Sequence, residues 1–92
     1  MTAEEAASIG QDALIWLAGQ PEALERFLNV SGLEPALMRD RASDQEFLGF
    51  VLEFLLGSDA MVLAFAAESG LDPADPARAR LALGGGELPN WT

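Results

Sequence analysis

Four glycines, Gly19, Gly32, Gly57 and Gly70, each close a stretch in which apolar residues recur at three- and four-residue spacing. That spacing is the signature of a helix with one buried face, and glycine is the residue that most readily ends one. Helices this short cannot hold themselves together in water, so their apolar faces must cover one another. No segment alternates apolar and polar residues as a half-buried strand would. The expectation is an all-α fold, a compact bundle of five to six short helices.

The starts are signalled as clearly as the stops. Thr2 with Glu5 forms a capping box, after which Ala6, Ile9, Ala13, Leu14 and Leu17 run to Gly19. Pro21 suits the first turn of a second helix, carrying Leu24, Phe27, Leu28 and Val30. Glu34-Pro35 opens a short third helix with Leu37 and Met38. Ser43 and Glu46 form a second capping box ahead of Phe47 to Leu56, where only Gly49 and Glu53 interrupt the apolar residues. A helix apolar on nearly all sides belongs at the centre of a bundle. Ser58 caps a fifth helix with Met61, Val62, Leu63 and Phe65. Asp72-Pro73 opens a sixth, whose regular part Pro76 delays by a turn with Asp75 as cap. Residues 1–83 thus read as one helical domain with approximate halves 2–42 and 43–83. Residues 84–92 read as a Gly-rich linker and tail ending in Trp91-Thr92.

A shift of 38 residues lays Leu14 on Leu52, Leu17 on Leu55, Gly19 on Gly57 and Phe27 on Phe65. Ser31-Gly32-Leu33-Glu34-Pro35-Ala36 then meets Ser69-Gly70-Leu71-Asp72-Pro73-Ala74. One reading is a duplicated three-helix unit whose copies bury each other's apolar faces. The other is independent reuse of a turn whose chemistry favours these residue types.

Composition narrows function mainly by what is missing. There is no Cys, His, Lys or Tyr, which removes the thiolate, the imidazole, the Schiff-base amine and the phenol. No cofactor, metal or catalytic residue is expected, and the chain is read as non-enzymatic. Fifteen Asp and Glu against five Arg give a formal charge of −10, which repels phosphate backbones and anionic headgroups. Nucleic acid is a disfavoured partner. A membrane role is disfavoured as well, because Glu53, Asp59 and Gly57-Ser58 break the longest apolar stretch, Phe47 to Ala67. The acidic opening residues do not resemble a secretory signal, so the expected location is cytoplasmic.

Each candidate site has a plainer alternative. Arg39 and Arg41 after the first turn, and Arg78 and Arg80 after the second, could contact an anion, or could simply complement helix C-termini and surplus carboxylates. Glu4, Glu5, Asp44 and Glu46 could hold a hard cation, but they sit in first helical turns, where negative charge is favoured anyway. Trp16, Trp91 and Leu63 are candidates for partner binding; Trp16 could equally complete the core, and Trp91 must dock or stay exposed. Phe47, Phe50 and Phe54 form a stripe that reads as core before cofactor pocket.

The segments Ala13-Leu14-Ile15-Trp16-Leu17-Ala18-Gly19, Arg26-Phe27-Leu28, Ser31-Gly32-Leu33, Phe47-Leu48, Val51-Leu52-Glu53-Phe54-Leu55 and Ala64-Phe65-Ala66 resemble a family of short bacterial proteins, domain of unknown function 3572. The resemblance covers almost the whole chain and consists of helix faces and turns. It implies a small helical bacterial protein standing alone and brings no activity, cofactor or binding residue. Half of the residues are apolar in a chain too small to bury them all. The leading expectation is therefore a protein–protein interaction module, with a second copy of itself among the partners to test. The alternative is a helix-turn-helix-like nucleic-acid-binding regulator, suggested by the Gly-Leu-acid-Pro turns.

Overall fold

A computed structural model describes residues 1–83, and the expected tail with Trp91 lies outside them. Helix α1 (Ala3–Ala18) begins where the capping box places it: the Thr2 hydroxyl accepts from the Glu5 N–H at 3.0 Å, and the Glu5 carboxylate accepts from the Thr2 N–H at 2.8 Å. Helices α2 (Pro21–Ser31), α3 (Gln45–Leu56), α4 (Asp59–Ser69) and α5 (Asp75–Ala82) follow. The all-α expectation is borne out among the described residues, with five helices.

The third expected helix does not form. Its place is taken by one 3-10 turn, Pro35–Leu37, and a chain of turns reaching Ser43, held mostly by three-residue hydrogen bonds such as Met38 N–H to Pro35 O and Ala42 N–H to Arg39 O. Asp40, Ser43 and Asp44 favour local side-chain bonds over the helical ladder, and Met38 alone in the segment is buried. The matching segment in the second half is alanine-rich, buries Pro76, Ala79 and Arg80, and does become helical as α5. The cap of α3 is corrected too, since Asp44, not Ser43, accepts from the Glu46 N–H at 3.0 Å. Helix α5 is delayed by Pro76 as expected, but Asp75 is its first residue. The N-cap is Ala74, with no side-chain cap bond, and in the turn before it Asp72 accepts from the Ala74 N–H at 2.8 Å while donating its own N–H to the Asp75 carboxylate.

Helices α1, α3 and α5 pack on one another, with α2 laid against α1 and α4 against α3. Helix α3 buries six residues, Phe47, Leu48, Gly49, Val51, Leu52 and Leu55, as its nearly all-round apolar surface requires. It shares the centre with α1, whose Ala6, Gly10, Ala13, Leu14 and Leu17 are buried. The two helices meet where Gly10 faces Leu48, and a methyl group added to Gly10 would lie 2.9 Å from the Leu48 Cβ. The Phe27 ring is enclosed by Phe47, Phe50 and Phe54 at centroid separations of 6.0, 5.5 and 5.3 Å. The aromatic stripe is therefore filled by a neighbouring helix.

Residues related by the 38-residue shift share environments. Phe27 and Phe65 are both fully buried, and Leu17 and Leu55 nearly so. Gly32 and Gly70 both adopt left-handed backbone, with φ of 69° and 70°, which favours glycine at each. Gly19 and Gly57 end their helices with ordinary negative φ. After the left-handed glycines the turns diverge: the Leu71 N–H returns to the Ala66 carbonyl, whereas the Leu33 N–H is taken by the Ser31 hydroxyl. Among the described residues no single helix is long and apolar enough to cross a membrane, and α3 and α4 bend by 115° at their junction.

Candidate functional site

The four arginines expected to share a role are placed in four separate settings. Arg80 is buried, and its guanidinium is held by the Glu53 carboxylate of α3. It is thus a link between α3 and α5 and presents no open cation, which corrects its assignment as an anion contact. Arg78 pairs with Asp75 at 3.1 Å, and Arg41 approaches Asp44 at 3.9 Å. Arg39 lies on the irregular segment, without a carboxylate partner among the described residues. The arginines also fall one residue out of the 38-residue register, since Arg39 and Arg41 align with Ala77 and Ala79. With no helix after the first turn, only α4 and α5 flank a Gly-Leu-acid-Pro turn on both sides.

Trp16 is half-buried. Its ring packs edge-on against Phe65 at 6.0 Å, and its indole N–H donates to Glu68 Oε2 at 3.0 Å. This ties α1 to α4 and leaves part of the ring facing a shallow hollow with Pro21, Arg26 and Met61. Leu63 is 56% exposed on α4. Of the carboxylates considered for a cation, Glu5 and Asp44 accept capping hydrogen bonds. The Thr2 backbone and side-chain bonds hold the Glu5 carboxyl below the ordinary glutamate value of 4.5. Among the described residues no three acids are grouped as metal ligands would be.

The feature that sequence reading missed is a trough of about 830 Å³ between α1, α2 and residues 35–42. Leu14 and Met38 lie buried in it, Leu24 is half-buried, and Ile15, Ala18 and Pro35 stand at its edges. Its far wall is pinned by the Gln11 amide, which donates to the Ala42 carbonyl at 3.0 Å. Ile15, 72% exposed, was the available signal, because it breaks the polar face that α1 otherwise shows to water through Ser8, Gln11 and Asp12. The irregular path of residues 35–42, which creates the trough, was not.

Comparison with curated proteins and with solved structures returned no match. Residues 3–86, nearly the whole chain, match the family described as Protein of unknown function (DUF3572), and the helix faces and turns that carried the resemblance are the ones that build this bundle. The chain belongs to the DUF3572 family.

Proposed function

We propose that this chain is a non-enzymatic helical interaction module that works by burying apolar side chains against another protein. The observation that carries the proposal is the set of large apolar residues left in water by an otherwise filled core: Ile15, Val30, Leu63 and Leu81 are each more than half exposed. Single exposed apolar residues are ordinary, but here Ile15 borders a concave apolar trough, which is the form such interfaces take. The paired positions Gly10 and Leu48, in contact at the crossing of α1 and α3, support the duplicated-unit reading, because equivalent residues meet on the axis of a twofold arrangement.

The test is solution mass by light scattering over a wide concentration range, with Ile15→Asp and Leu63→Asp compared by circular dichroism. A mass rising toward two chains identifies a second copy as the partner, and a constant mass of one chain excludes a second copy. Both variants should keep their helical signal. Global unfolding of both would show that these side chains serve the core, and would overturn the proposal.

A further inference from the structure

We infer that the trough between α1, α2 and residues 35–42 takes an amphipathic helix of a partner protein that carries Lys or Arg beside its apolar stripe. This rests on the interaction-module reading and adds a place and a partner chemistry to it. The shape comes first. The trough is an open concavity, apolar at its floor through Leu14, Leu24 and Met38 and edged by Ile15, a surface on which a helix can lay its apolar face. It lacks the buried, convergent polar groups that orient a small ligand, since its two charged members, Arg39 and Asp40, are both exposed.

Charge then selects the occupant. Asp40 lines the trough, Asp12 lies one helical turn before Ile15, Glu25 adjoins Leu24, and Glu34 directly precedes Pro35. All four acids are exposed, against Arg39 in the lining and Arg41 beside it, the latter 3.9 Å from Asp44. Elsewhere three of the five arginines are already matched to Asp44, Asp75 and Glu53, so the surface field stays strongly acidic. A second copy would bring the same −10 and no lysine, and like charges across an interface are repelled. A basic-flanked helix satisfies the floor and the rim together, and the field speeds its approach.

The test is fluorescence anisotropy at about 0.15 M salt with three labelled synthetic peptides of about 18 residues: a Leu/Lys amphipathic helix, the same helix with Glu for Lys, and a Leu/Lys peptide of scrambled order. The first should bind at least about tenfold more tightly than either of the others. Ile15→Glu should weaken it about tenfold even though the added charge alone would strengthen it. Ala67→Glu, which adds the same charge at an exposed position on α4, should change affinity less than about twofold, and Arg39→Glu should tighten it about two- to fivefold. Equal binding of the scrambled peptide, stronger binding of the Glu peptide, or indifference to Ile15→Glu overturns the inference. If Leu63→Glu abolishes binding and Ile15→Glu does not, the trough is wrong and the module reading stands. If no peptide binds and the chain is monomeric throughout, the module reading falls with it.

Discussion

Glu53 and Arg80 offer a prediction whose asymmetry follows from geometry. The Arg80 side chain is only 10% exposed, whereas that of Glu53 is 43% exposed. Removing the glutamate strands a guanidinium in the interior, while removing the arginine leaves a carboxylate that can turn to water. Breaking a fully buried pair costs about 3–5 kcal/mol, and the glutamate's exposure discounts this, so Glu53→Ala should destabilise by about 2–3 kcal/mol. Arg80→Met keeps the apolar stem that packs between α3 and α5 and should cost no more than about 1 kcal/mol. The double variant should resemble Arg80→Met, giving a coupling of about 2 kcal/mol. At about 0.05–0.15 kcal/mol per residue, the total stability of a chain this long is about 5–14 kcal/mol, so Glu53→Ala removes a large fraction of it. Urea unfolding followed by helical circular dichroism measures all four forms, and Glu53→Ala should also melt about 10–20 °C lower. Costs that add in the double variant, or an Arg80→Met cost equal to that of Glu53→Ala, would refute the argument.

Gly10→Ala places a Cβ 2.9 Å from the Leu48 Cβ, an atom fixed by its backbone, so α1 and α3 must part. Overpacking of about 1–3 kcal/mol should outweigh a helix-propensity gain of about 1 kcal/mol, and a net loss of about 1 kcal/mol is expected in urea unfolding. Ser8→Ala, exposed on the same helix, should be neutral or stabilising. For Glu5, a carboxyl held below its usual range favours the folded cap above the unfolded value and loses that support as pH falls through the folded one. An NMR titration should find Glu5 below 4.5, and Thr2→Ala should return it only part of the way, because the backbone N–H remains.

Much of the fold was legible in the chain because its signals are local. The Thr2–Glu5 box, Pro21, Ser58 and the four glycines act within one helical turn, and each stands at the helix boundary it predicted. The centrality of α3 was legible as well, since a surface apolar on most sides has only one stable place. The irregular segment was harder to read: Pro35-Ala36-Leu37-Met38 carries a helix start, and only the weak propensities of Asp40, Ser43 and Asp44 argued against it.

What the sequence by itself determined is where most of the main helices start and stop, their apolar faces and an acidic surface. Each of these depends on residues a few positions apart. Tertiary structure alone decided that Glu53, an interruption in an apolar helix, is the counter-charge of Arg80 27 residues away. It also decided that Trp16 is tied to Glu68 across 52 residues, and that α1, α2 and residues 35–42 enclose a trough. Those features are made by groups brought together only when helices pack, and the free energy that selects one packing over another is a property of the assembled core rather than of any segment.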